Sequence, residues 1–173
     1  MSVLEKFKPI TTFVFDVDGV LTDGSILVFD NGDQVRRMSI KDGYSLQLAV
    51  KKGYRVLVIS GGVSEGVKHR LGQLGIGDVF LGVKNKKQKL LEYADEHGLE
   101  EKEILFMGDD IPDHAVMKMV GLACAPSDAV VEIRHMAAYI SAFGGGQGCV
   151  RDVIEKVLKL NGHWELDDTV ASK

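Results

Sequence analysis

The sequence has 173 residues, 45% of them apolar and 27% charged, which describes one globular domain large enough to bury a real core. Twenty-one Lys and Arg against 25 Asp and Glu leave a net charge of −4, without the clustered positive charge that nucleic-acid binding requires. Two cysteines, Cys124 and Cys149, cannot build a disulfide framework. No run approaches the ~18 apolar residues of a membrane span, and Met1–Pro9 lacks a signal-peptide core, so a cytoplasmic protein without membrane or nucleic-acid partners is expected.

In chain order, Ile10–Phe15 predicts a buried strand that runs into Asp16-Val17-Asp18-Gly19. Two carboxylates at i and i+2 beyond a strand share one side of the chain, and they repel unless a cation or a proton lies between them. A calcium loop of the helix–loop–helix type is excluded, because its sixth and twelfth positions, Gly and Glu, are here Leu21 and Leu27. Ser25–Phe29 and Gln34–Met38 flank Asp30-Asn31-Gly32-Asp33, and Asn-Gly between β-prone runs predicts a hairpin. Its apolar residues Ile26, Val28 and Phe29 need a surface to cover them, such as a second copy of the chain.

Gly43–Lys52 predicts a helix closed by Gly53, followed by a strand over Tyr54–Ile59 that ends in Ser60-Gly61-Gly62. A hydroxyl and glycines at a strand end can offer Oγ and backbone N–H groups to a phosphate. A helix over Ser64–Leu74 and a short strand over Val79–Leu81 lead to Gly82-Val83-Lys84-Asn85-Lys86-Lys87. Lysine at the start of the following helix, Lys87–His97, opposes the helix dipole. Ile104–Met107 predicts a fourth strand, ending in Gly108-Asp109-Asp110-Ile111-Pro112-Asp113, where three carboxylates in five residues suit a hard divalent cation. Asp113 also suits an N-cap. Further elements are expected over Asp113–Val120, Leu122–Ala125, Asp128–Met136, Tyr139–Ser141 and Val150–Leu160.

The alternation predicts an α/β fold: a three-layer open parallel sheet of core order 3-2-1-4-5, with a hairpin flap over 25–38 after strand 1 and no cap domain. Residues 1–160 would form the domain and 161–173, polar apart from Trp164, a flexible tail. In that order Asp16, Asp18 and Asp109 flank the crevice where the strand order reverses, with Ser60 beside them and Lys86 reaching in. The set offers acids for a metal, and a hydroxyl and an ammonium for an anion. Neither a Gly-Lys-Ser/Thr loop nor GxGxxG occurs, which disfavours a nucleotide.

Asp16-Val17-Asp18-Gly19-Val20, Ser60, Lys86 and Gly108-Asp109-Asp110 with Asp113 together resemble the four ordered motifs of the haloacid dehalogenase superfamily of phosphohydrolases. The short spacings between them resemble its capless subclass. The hairpin, Lys41-Asp42-Gly43 and Gly144-Gly145-Gly146-Gln147-Gly148 resemble the members acting on phosphorylated 2-keto-3-deoxy sugar acids. That resemblance implies a Mg²⁺-dependent phosphatase of lipopolysaccharide precursor synthesis, with 3-deoxy-D-manno-octulosonate 8-phosphate as substrate; a nine-carbon sialic-acid-like phosphate is the alternative. It further implies that Asp16 is the nucleophile and Asp18 the acid–base. Mg²⁺ would be held by Asp16, the Asp18 carbonyl and Asp109, while Lys86 and Ser60 grip the phosphoryl oxygens. Asp110 and Asp113 would support them from behind. Ser39, Ile40, Lys41, Asp42, Gly43, Gln47 and Arg70, with Asp18 and Lys86, would bind the sugar acid in a homotetramer. The sequence departs from the pattern at Gly62, where many members carry arginine; Lys68, or Arg36 or Arg37 of a neighbouring copy, would then supply the basic contact. A phospho-acceptor signalling module and a non-catalytic oligomerisation domain are rival readings, against which Asp18 and the intact motif set respectively argue.

Overall fold

A computed structural model describes residues 2–173. Its six-stranded parallel sheet has the order β5-β4-β1-β6-β7-β8. The strands are β1 (Thr12–Phe15), β4 (Arg55–Ile59), β5 (Asp78–Phe80), β6 (Ile104–Met107), β7 (Leu122–Ala125) and β8 (Tyr139–Ile140). β1, β6 and β7 are buried at every position, which is why they read as continuous apolar runs.

Successive side chains leave a strand on opposite faces, and the core divides accordingly. Phe13 and Phe15 join the cluster under α1 (Ile40–Lys51), α2 (Glu65–Gln73) and α6 (Cys149–Leu160). Val14 joins Leu90, Val116 and Ile133 under α3 (Lys86–His97), α4 (His114–Met117) and α5 (Val131–Met136). α6 buries Val150, Val153, Ile154, Val157 and Leu158, the spacing of an amphipathic helix laid on a sheet. The result is the expected three-layer α/β architecture, and among the described residues no cap domain interrupts it.

β1 lies between β4 and β6, with Phe15 level with Val58 on one side and Met107 on the other. The chain goes from β1 outward to β5, then returns to β6 on the opposite side, so the sheet's order reverses beside β1. Loops after β1, β4, β5 and β6 consequently leave along one edge. That edge is where open α/β sheets bind ligands.

The hairpin forms where Asn31-Gly32 predicts it, with β2 (Leu27–Val28) antiparallel to β3 (Gln34–Val35). Its turn is closed by the Phe29 N–H donating to the Asp33 carbonyl at 2.9 Å. Ile26, Leu27, Val28, Phe29 and Val35 stay exposed in the single chain. Residues 161–173 run along α1: Lys51 pairs with Asp167 at 2.6 Å and Lys52 with Glu165 at 2.9 Å. Trp164 meets Tyr44 edge-on at 6.4 Å. Charge complementarity across more than a hundred residues of chain gives this docking no local sequence signal. No helix among the described residues is long and apolar enough to cross a membrane.

Candidate active site

Asp16 is the first residue beyond β1, and its N–H still donates to the Met107 carbonyl at 3.1 Å, so the carboxylate is fixed by the sheet itself. Val17–Leu21 then makes one irregular turn, closed by the Thr22 N–H on the Val17 carbonyl at 3.1 Å. Gly19 allows that turn, with φ +87°, and a Cβ there would strike the Asp109 carboxylate. A side chain at 19 would therefore be strained and would also expel a site residue.

Lys86 opens α3 next to its N-cap Asn85. An ammonium at that end of a helix opposes the dipole, and two carboxylates account for it. The Lys86 side chain is 6% exposed, and Nζ stands 2.9 Å from Asp16 Oδ1 and 2.6 Å from Asp113 Oδ1. Burial opposes its charge, but Asp16 and Asp113 together outweigh that and raise its pKa. Asp113, read as a possible N-cap, makes no capping bond to α4. Its second oxygen accepts the Asp109 N–H at 3.0 Å, so both oxygens are engaged and the residue links Lys86 to Asp109. Gly108 leaves the space, since a Cβ there would overlap Asp113. Asp110 faces solvent and caps the Ile111 N–H at 2.7 Å.

Asp16, Asp109 and Asp113 bring carboxylate oxygens within 4.8 Å of one another. Burial first, and then Asp113, push Asp16 up to about 7, against the pull of Lys86. Burial, then Asp16, Asp113 and Asp110, push Asp109 up to about 7 as well. Asp109 Oδ1 is buried without a hydrogen-bond partner, a costly state for a carboxylate oxygen. Crowded hard-oxygen donors, one of them orphaned and only one ammonium among them, fit a divalent cation such as Mg²⁺.

Ser60 completes the floor. It follows β4, is 2% exposed, and its Oγ accepts the Gly62 N–H at 3.2 Å. Its loop is tied to the one after β5 by the Val83 N–H on the Ser60 carbonyl at 2.9 Å. These residues line a cavity of about 260 Å³ containing Asp16, Asp18, Ser60, Lys86, Asp109, Asp110 and Asp113. All seven of the residues expected around the phosphoryl group are thus in one place.

The residues expected at the sugar end are dispersed. Ser39 caps α1, accepting the Asp42 N–H at 3.3 Å, while Ile40 and Lys41 are exposed. Asp42 is turned inward: it is 2% exposed and accepts the Arg151 N–H at 2.8 Å, capping α6. The N–H it accepts belongs to a residue 109 positions further along the chain. Gly43 packs beneath Arg70. Gln47 donates to the Ala171 carbonyl at 2.8 Å, and Arg70 donates to the Lys173 carbonyl. Arg70 also lines a separate cavity of about 780 Å³ between the hairpin and α2.

Arg36, one of three candidates for the basic contact that Gly62 lacks, reaches the site of its own chain, with Nε donating to Asp18 Oδ1 at 2.6 Å. Arg37 pairs with Asp23 at 3.0 Å and Lys68 is exposed. The contact between hairpin and Asp18 spans 18 residues and depends on how the flap folds back, which pattern reading does not reach.

No family model matches the chain. The 3-deoxy-D-manno-octulosonate 8-phosphate phosphatase KdsC of Escherichia coli (strain K12) is 32% identical over 160 residues, 92% of this chain and 85% of that protein. The crystal structure of 3-deoxy-D-manno-octulosonate 8-phosphate phosphatase from Yersinia pestis superposes with a TM-score of 0.90 at 28% identity, covering 93% of this chain and 87% of that one. The enzyme of that name from Moraxella catarrhalis, in complex with magnesium ion, phosphate ion and KDO, gives 0.88 at 31% identity, with 91% of each chain covered. On its sequence, fold and acidic pocket, the chain belongs to the 3-deoxy-D-manno-octulosonate 8-phosphate phosphatase family of the haloacid dehalogenase superfamily.

Proposed function

We propose that the chain is a Mg²⁺-dependent phosphatase that hydrolyses a 2-keto-3-deoxy sugar acid phosphate, namely 3-deoxy-D-manno-octulosonate 8-phosphate. The observation that carries this reading is buried Lys86, 2.9 Å from Asp16 and 2.6 Å from Asp113, beside the orphaned Asp109 oxygen. That arrangement suits a phosphoryl group and a cation together.

Asp16 attacks phosphorus, the bond to the sugar oxygen breaks, and Asp18 gives that oxygen its proton. The resulting aspartyl-phosphate divides one hard displacement into two easier ones. Water then attacks phosphorus, Asp18 takes its proton, and the bond to Asp16 breaks, releasing inorganic phosphate. General acid–base help of this kind contributes about 10²–10⁴-fold. Lys86 and Ser60 hold the non-bridging oxygens on which charge sits in the transition state, and Asp113 keeps Lys86 aimed. Asp16, Asp109 and the Asp18 carbonyl would hold Mg²⁺, with Asp110 behind them. When bound, the ion offsets the repulsion between an anionic nucleophile and an anionic phosphate.

The sugar acid would bind on the hairpin side, through Arg70 and the start of α1 at Ser39, Ile40, Lys41 and Gly43, with Gln47 behind. The reading includes a homotetramer in the cytoplasm. The exposed apolar hairpin supports the first, because a site without a cap needs a neighbour to exclude water. The free buried Cys124 and Cys149 support the second.

Phosphate release is measured over eight- and nine-carbon sugar acid phosphates and simple sugar phosphates, with and without Mg²⁺. Preference for the eight-carbon acid, abolished by chelation, supports the assignment. Equal rates on all substrates defeat it while leaving a phosphatase. Light scattering that finds a fully active monomer refutes the tetramer.

A further inference from the structure

Arg36 leaves β3 and turns its side chain inward, so that only 8% of it is exposed, against 82% for its neighbour Arg37. Nε donates to Asp18 Oδ1 at 2.6 Å, and one terminal nitrogen lies 3.4 Å from Oδ2. A guanidinium set across both oxygens of a carboxylate fixes its orientation as well as adding energy. Taking a guanidinium out of water costs solvation that pairing with a carboxylate often does no more than offset, so energy alone gives no reason to bury a hairpin arginine here.

The space is prepared for this contact. A Cβ on Gly62 would come to 3.0 Å from Asp18 Oδ2 and 3.5 Å from the Arg36 terminal nitrogen. The first distance is tight enough that Asp18 would have to give by a few tenths of an ångström, whereas the second is ordinary contact. Arg36 also sits where the small site and the large cavity beside the hairpin meet, lining the latter. The hairpin, the Ser60–Gly62 loop and the end of β1 therefore converge on one carboxylate.

Resting on the phosphatase reading above, we infer that Arg36 is a positioning residue for Asp18, aiming it at the water that opens the aspartyl-phosphate. In that step the water oxygen bonds to phosphorus and its proton passes to Asp18. The phosphorus–oxygen bond to Asp16 breaks, and Asp16 keeps the electron pair. The flap thereby becomes part of the turnover machinery as well as an apolar surface.

The test uses p-nitrophenyl phosphate with Mg²⁺ in stopped flow. Its leaving group departs without a proton, so the first step reports on Asp16 and Lys86 and the second on Asp18. Arg36→Met is expected to release about one p-nitrophenolate per chain in a burst within ~3-fold of the wild-type rate. The later steady rate should fall about 10–100-fold, a part of what a correctly placed base contributes. Arg36→Lys, which keeps charge and loses the fork, should recover part of that loss. The inference is overturned if burst and steady rate fall together, if neither changes, or if only KM for sugar acid phosphates rises, which would make Arg36 a substrate-binding group. A wild-type enzyme that releases no phosphate from any ester overturns the phosphatase reading itself, whereas an active wild type with an unaltered variant overturns this inference alone.

Discussion

Gly19→Ala isolates the geometry on which the site depends. Two costs arise at this position. With φ at +87°, an L-residue loses roughly 1–2 kcal/mol, and the added Cβ must displace the Asp109 carboxylate, overpacking that costs about 1–3 kcal/mol. Gly32 in the hairpin turn is the control: its φ is +89° and nothing lies within 4 Å of an added Cβ. Gly32→Ala therefore bears the first cost without the second. Urea unfolding should show Gly32→Ala destabilised by about 1–2 kcal/mol and Gly19→Ala by about 2–5 kcal/mol. Since a displacement of about 1 Å at a reacting centre costs on the order of 10²-fold, Gly19→Ala should also lose phosphatase activity by at least that factor, with Gly32→Ala near wild type. Equal destabilisation of the two, with activity retained in both, would show that Asp109 is not held where the structure puts it.

Other consequences can be measured separately. Asp42 is pushed up to about 6 by burial, against the N–H groups of Arg151 and Gly148. The folded state therefore holds its proton more tightly than the unfolded chain, and this contribution to stability is complete below about pH 4 and lost as pH rises through about 6. Asp42→Asn should narrow the stability difference between pH 4 and pH 7 by about 1–3 kcal/mol in denaturant titrations; an unchanged profile would contradict the buried, charged cap. Mg²⁺ should raise the unfolding temperature of the wild type, by about 2.7 kcal/mol of stability at a hundredfold excess over its dissociation constant. Asp109→Asn should abolish that response and, by relieving the crowding of three carboxylates, be the more stable protein without metal. A variant that keeps the Mg²⁺ shift would remove Asp109 from the ligand set.

The fold was legible because its strands are buried on both faces. β6 and β7 lie at Ile104–Met107 and Leu122–Ala125, the bounds their apolar runs suggest, and Asn31-Gly32 marks the hairpin turn. The phosphoryl site was legible because each part sits at a strand end, where parallel topology itself brings them together. Lys86 was conspicuous through a local conflict with the helix dipole, and the conflict is resolved by Asp16 and Asp113. Contacts decided by how separate pieces fold back were not legible. Asp42 shares a motif with Lys41 and Gly43, and nothing in that motif says it turns inward to cap α6. Arg36 reaches Asp18 only once the flap closes, and Trp164 finds Tyr44 only once the C-terminal segment lies on α1.

In the proposed mechanism Asp16 carries the phosphoryl group between its two bonds. Rapid acid quench of the Mg²⁺ enzyme turning over a phosphate-labelled sugar acid ester, followed by peptide mapping, examines that claim directly. Label is expected on the Asp16 peptide of the wild type and absent in Asp16→Asn. Turnover with no label on Asp16 at any time, or label on another side chain, would contradict it.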